Sequence, residues 1–251
     1  MCVVRIDAEA IARNTRALAS AIGARALVAD VRADGHGHGA VQTALAALAG
    51  GAAWLMVRSA ADAAPLRAAG IRAPILATHH DSDNARAASL GVTFRNSVDE
   101  PPLLYEPGVA MYGLGALARE LGLETAMRVS ARVLIVKEIE RGDGVSYGYT
   151  YRAPASTRLA MVAIGYADGL DRAAGNVSSM LLAGEFRPIV GRVAMNAAVL
   201  EIGELAVAPG DEAVLFGGSG EPSANEWSVA LGISEDETVT NFGRSVQRIY
   251  A

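Results

Sequence analysis

The chain has 251 residues, 51% of them hydrophobic and 20% charged, which is apolar enough for one or two cored domains and too sparsely charged for disorder. With 22 Lys and Arg against 27 Asp and Glu and a pI near 5.4, sequence-independent nucleic-acid binding is not expected. The single cysteine, Cys2, excludes an internal disulfide and a multi-cysteine metal site, and neither an apolar run long enough for a membrane span nor a basic-then-apolar leader is present, so a cytoplasmic protein is expected.

From about residue 7 to 115 helix-like and strand-like pieces alternate. Asp7 can cap a helix carrying Ile11, Leu18 and Ile22, and Ala26 to Val31 reads as a buried strand. A helix from Ala40 to Leu48 precedes the strand Trp54 to Val57. A third, from Ala60 to Ala69, stops at Gly70 before the strand Pro74 to Ala77. That alternation is the signature of a parallel sheet. After about residue 125 the texture becomes apolar runs between Gly, Asp and Pro turns, such as 131–136, 159–164 and 213–216, as in an all-β domain. Two domains are therefore expected, 1–120 and 121–251. The glycine-rich stretch 217–220 lacks the Lys-Ser/Thr ending of a phosphate loop and reads as a hairpin turn.

Three stretches together resemble the alanine racemase family of fold-type III pyridoxal-phosphate enzymes. Val31-Arg32-Ala33-Asp34-Gly35-His36-Gly37-His38-Gly39 is similar to that family's V-K-A-N/D-A-Y-G-H-G. Asn96-Ser97, followed by Glu106-Pro107-Gly108-Val109-Ala110-Met111-Tyr112-Gly113, is similar to N-S and R-P-G-I-x-L-Y-G. The third stretch runs through Val145-Ser146-Tyr147-Gly148, Ile164-Gly165-Tyr166-Ala167-Asp168-Gly169, Val190-Gly191-Arg192-Val193-Ala194-Met195-Asn196 and Gly210-Asp211-Glu212. The resemblance spans nearly the whole chain and implies an α/β barrel followed by a C-terminal β domain.

The departures bear on chemistry. The family's aldimine lysine is Arg32 here, and a guanidinium, protonated at any working pH, cannot supply that amine. His36 stands for a tyrosine at the phosphate end, Glu106 for the arginine that meets the pyridine nitrogen, and Asp236 for a phosphate-holding tyrosine. Ser97 and the Gly108-Val109 backbone survive at the phosphate positions. On this footing no cofactor and no metal are expected. Only 13 residues, 79–91, separate the third strand from the strand carrying Asn96-Ser97, so barrel strands are missing and a closed barrel of about 250 residues cannot form. The expected fold class is α/β plus all-β: a truncated or open barrel of about five parallel strands with an alanine-racemase-like β domain. Its exposed edges call for cover by a partner subunit or by the second domain, and a homodimer is expected.

Tyr166 matches the family's second racemising base and needs a neighbouring cation, for which Arg32 or an imidazole would serve. All four histidines, His36, His38, His79 and His80, follow strands, where barrels carry their chemistry. The expected catalytic set is Tyr166, His36 and Arg32, with Asp34, His38, His79, Ser97, Glu106, Met195 and Asn196 binding substrate; Asn196 takes the place of a family aspartate. The reading is a cofactor-independent acid/base enzyme of isomerase, cyclase or lyase type acting on a small metabolite, with specialised metabolite biosynthesis as its setting. The alternatives are a non-catalytic binding or regulatory protein and a true racemase.

Overall fold

The structure is a computed structural model that describes residues 1–23, 25–79, 84–97, 103–242 and 246–251. His80 lies outside the described residues. The chain divides into two compact units, an α/β unit of 7–126 with Ala251 and a β unit of 1–6 with 127–250.

Strand β1 (Cys2–Ile6) opens the chain, and the helix Ala8–Ala21 follows it. Asp7 caps that helix, its Oδ1 accepting from the Ala10 amide at 2.7 Å, and the helix buries Ile11 and Leu18. Then come β2 (Ala26–Asp30), β3 (Trp54–Val57), β4 (Ile75–Ala77), β5 (Val92–Phe94) and β6 (Leu104–Tyr105). Among the described residues these five make one sheet in the order β5-β4-β3-β2-β6, every pairing parallel. Helices Ala40–Ala49, Ala60–Ala68 and Asn84–Ser89 connect them, and Leu27, Leu55, Leu66, Ile75 and Leu76 form the buried core. The expected open barrel of five parallel strands is thus what the chain forms.

The sheet is curled. Strands β5 and β6 are its opposite edges, four strand spacings or ~19 Å apart if the sheet were flat. Yet Arg95, just after β5, makes an ion pair with Glu106, just after β6. Arg95 also reaches Met56 of the middle strand β3, with Nη1 3.5 Å from Sδ. A charge pair spans the gap that backbone hydrogen bonds would close in a complete barrel.

The β unit is built on the long strand β7 (Met127–Ile139), followed by β8 (Gly144–Val145), β9 (Tyr151–Arg152), β10 (Thr157–Val162), β11 (Ser179–Leu182), β12 (Glu185–Pro188), β13 (Ala198–Glu201), β14 (Glu212–Phe216) and β15 (Arg248–Tyr250). The main path is β12-β11-β14-β7-β1-β15, and β10 bridges β7 to β13. Strand β1 therefore belongs to this sheet, antiparallel to β7 with Cys2 opposite Ala131 and Ile6 opposite Met127. Residues 217–220 do not make a hairpin. They lead from β14 into the helix Ala224–Leu231, whose Ser223 and Glu226 form a capping box, and the helix Glu235–Thr240 follows. No helix among the described residues is long and apolar enough to cross a membrane.

Candidate active site

The C-terminal end of β2 carries the densest charge in the α/β unit. Asp30, its last residue, is 2% exposed. Its Oδ1 accepts from the Arg32 amide at 3.1 Å and from Arg32 Nε at 2.9 Å, and its Oδ2 accepts from Arg32 Nη2 at 2.6 Å. His36 Nε2 lies 3.4 Å from the same Oδ2. Burial alone would raise the Asp30 carboxyl, but the hydrogen bonds from Arg32, its charge and the nearby His36 hold it well below the usual carboxylate range. Both sides of this contact follow from an unusual backbone. Ala33, Asp34, Gly35 and His36 all have positive φ, between 48° and 64°, a left-handed turn that brings residue 36 back to residue 30. A left-handed run costs about 1–2 kcal/mol per non-glycine residue and persists only where the surroundings enforce it.

Tyr112 is one such enforcer. It is fully buried, its hydroxyl donates to the Asp30 carbonyl at 2.7 Å, and its ring packs 5.4 Å from His36 and 4.4 Å from His38. Burial, then the Asp30 charge, push its phenol well above its ordinary value, so the hydroxyl stays a donor. His38 is 0% exposed, with Nδ1 3.0 Å from both the Gly35 and His36 carbonyls. It ties the turn together. Asp34 Oδ1 accepts from the Ala40 amide at 2.8 Å, anchoring the start of the helix Ala40–Ala49. Glu106 is engaged by Arg95. His79 is exposed just past β4, its amide donating to the Arg58 carbonyl at 2.7 Å. Ser97 Oγ is buried without a hydrogen-bond partner.

Tyr166, Met195 and Asn196 gather in the β unit. Gly165 lies against the 194–195 backbone, where a Cβ would meet the Ala194 and Met195 carbonyl oxygens at 2.3 Å each. Tyr166 and Ala167 amides donate to those carbonyls at 3.1 and 2.9 Å. Tyr166 is 42% and Met195 56% exposed, and Asn196 is exposed. The Arg172 guanidinium carbon lies 5.4 Å from the Tyr166 ring centroid. The expected site residues thus fall into two clusters, one in each unit. Sequence reading missed Asp30, Tyr112, Arg95 and Arg172. Asp30 alone left a signal, a carboxylate closing the otherwise apolar strand Ala26–Asp30. Among the described residues no group of three or more His, Cys, Asp and Glu could hold a metal ion.

A parallel-stranded, barrel-like α/β unit and a mostly β unit joined in this order define the architecture of fold-type III pyridoxal-phosphate enzymes. The family models described as Alanine racemase, N-terminal domain, and Alanine racemase, C-terminal domain, match residues 6–100 and 126–250. An alanine racemase of Salinispora arenicola is 32% identical over 363 aligned positions, covering 98% of this chain and 97% of that protein. One of Salinispora tropica is 46% identical over 151 positions, 59% of this chain and 41% of that protein. Among solved structures, alanine racemase from D-cycloserine-producing Streptomyces lavendulae superposes with a TM-score of 0.90 at 27% identity, covering 100% of this chain and 97% of that one. The chain belongs to the alanine racemase family.

That membership overturns the expectation of a protein without a cofactor. The family consists of pyridoxal-phosphate enzymes, and the racemase of Bartonella henselae, similar in fold at 21% identity and a TM-score of 0.84, was solved with covalently bound pyridoxal phosphate. The residues of this chain fit such a group at one end only. Ser97 Oγ, buried and unpartnered, and Gly108, at φ +59° with open space where a Cβ would stand, stand at the phosphate positions implied by the resemblance. At the position of the covalent tether stands Arg32, with Nε and Nη2 both bonded to Asp30. The chain's one lysine, Lys137, is exposed on β7 of the other unit. The chain offers no amine at the strand end.

Proposed function

We propose that the chain moves protons on a small amino- or carboxylate-bearing metabolite in a reaction of isomerase, cyclase or lyase type, with Tyr166 and His36 as acid/base groups and Arg32 as the cation that orients the substrate. The observation that carries this reading is the ordered setting of Tyr166. Its backbone is fixed on the 194–195 carbonyls, its ring is open to solvent, and Arg172 stands beside it. Asp34, His79, Ser97 and Glu106 of the α/β unit and Met195 and Asn196 of the β unit are proposed as substrate contacts, and a homodimer is proposed as the working unit. The relatives' printed activity, racemisation of alanine, is the nearest chemistry of this type.

The test is solvent exchange. The purified protein is incubated in D2O with alanine and with other amino and hydroxy acids, with and without added pyridoxal phosphate, and deuterium at the carbon beside the carboxylate is followed by NMR. Exchange is expected, falling by about 10²-fold or more in Tyr166→Phe. Absence of exchange on every substrate, or rates unchanged in both Tyr166→Phe and His36→Ala, would overturn the reading in favour of a non-catalytic binding protein.

A further inference from the structure

We propose that Asp30 is a positioning residue for His36. Its carboxylate holds the imidazole with the proton on Nε2, so that Nδ1 is the nitrogen that exchanges protons, while the same carboxylate grips Arg32 side-on. The inference rests on the acid/base reading of His36 above and adds to it the residue that sets its tautomer and orientation.

Four observations converge. Asp30 is 2% exposed, and an unpaired carboxylate so placed would be costly; its oxygens accept from three Arg32 nitrogens, and His36 Nε2, buried and without a hydrogen bond of its own, lies 3.4 Å from Oδ2. The left-handed run over residues 33–36 is the strained path that returns His36 to Asp30, and strain of this kind is retained where a side chain must be re-aimed. Tyr112 locks the arrangement by bonding the Asp30 carbonyl and flanking the His36 ring. Finally, Nε2 is the His36 nitrogen that is shut off from solvent and close to Asp30, whereas His38, on the far side of the same turn, spends its Nδ1 on two carbonyls.

A carboxylate can only accept, so the imidazole nitrogen facing it must carry the proton when the ring is neutral. Nδ1 then holds the lone pair. It can take a proton from a substrate C–H or O–H, forming an imidazolium whose charge Asp30 and not solvent stabilises, and return that proton to product or water from the same nitrogen. This is the division of labour of an Asp-His dyad, in which the acid orients the ring and stabilises its cation without itself being protonated. The 3.4 Å separation is long for a hydrogen bond, as such contacts are before substrate is bound.

Long-range ¹H–¹⁵N NMR on the full chain reads this directly, with His36→Ala supplying the assignment. In the native protein neutral His36 is expected with its proton on Nε2, and His38, bonded to carbonyls through Nδ1, with its proton on Nδ1. Asp30→Ala is expected to bring His36 to a mixture of tautomers while leaving His38 unchanged. A native His36 protonated on Nδ1, or a tautomer ratio unmoved in Asp30→Ala, would overturn the proposal; should Asp30→Ala not fold, the native tautomer alone decides it. The NMR result needs no substrate, so it stands apart from the exchange test: exchange could fail while the tautomer is as expected, which would sink the acid/base role and leave the positioning intact. Where exchange is observed, Asp30→Ala and His36→Ala should each slow it, and the double variant should slow it no further than His36→Ala.

Discussion

Arg32 changes what the end of β2 can do. A lysine there would offer an amine that can lose its proton and form a covalent bond; a guanidinium offers a planar, permanent cation, and Asp30 takes two of its donor nitrogens. Arg32 and Asp30 are read most simply as one unit, in which the arginine's charge makes the buried carboxylate tolerable and the carboxylate fixes the arginine's plane. Removing the carboxylate's charge with Asp30→Asn should therefore destabilise the protein by about 1–3 kcal/mol at pH 7, below the full cost of breaking a buried pair because the Arg32 side chain is 41% exposed. The folded-state carboxyl lies below its ordinary 3.8, so its contribution is complete above that value and is lost as pH falls further. Urea unfolding of native protein and variant at pH 7 and again near pH 3 checks both the size and the sign. A gap that widens in acid, or none at pH 7, would mean that Asp30 is not held as an anion.

At the level of elements, the α/β unit was legible where local rules decide. Asp7 caps its helix as expected, and the strands Trp54–Val57 and Ala26–Asp30 fall where short runs rich in small and β-branched residues placed them. What escaped was set by partners distant in sequence. The alternation in Cys2–Ile6 is compatible with a strand in either unit, and only its pairing with β7, over a hundred residues on, assigns it. The helices after β14 did carry a local sign, Ser223 with Glu226 three residues on, but the apolar runs around them read as strand. In the candidate site the histidines were visible as residue types, while the left-handed turn that buries His38 and aims His36 has no counterpart in periodicity. The Arg95–Glu106 pair was equally invisible, since it depends on how far the sheet curls. If that pair draws the two sheet edges together, Arg95→Ala should weaken β5 by about 1 kcal/mol, the part-exposed side chains keeping the effect small. Hydrogen exchange of the β5 amides should quicken correspondingly, and the exchanged pair Arg95→Glu with Glu106→Arg should recover most of the loss. Equal protection in native protein and Arg95→Ala would show that the curl is maintained by packing alone.

The whole molecule is a racemase scaffold shortened from within. An alignment of 363 positions that spans 98% of this chain and 97% of the Salinispora arenicola relative cannot be filled by 251 residues, so the relative contains internal sequence that this chain lacks. The β unit is matched along its length by the C-terminal family model, and the α/β unit keeps five strands among the described residues, which places the shortening in the barrel. A shortened barrel leaves β5 and β6 with outer edges that no described strand covers, and parallel sheets with free edges are prone to recruit further chain. Covering an edge by a second copy is the most economical remedy, because a twofold pairing buries the same edge of both copies in one contact. Light scattering across a dilution series should accordingly give twice the 25.9 kDa of one chain, and the mass should hold at concentrations where nonspecific association dissolves. Hydrogen exchange would then locate the contact: protection of the β5 or β6 amides that is lost on dilution marks the edge as the interface. A monomer at every concentration would mean that the curl bridged by Arg95 and Glu106 suffices by itself to shield the open sheet.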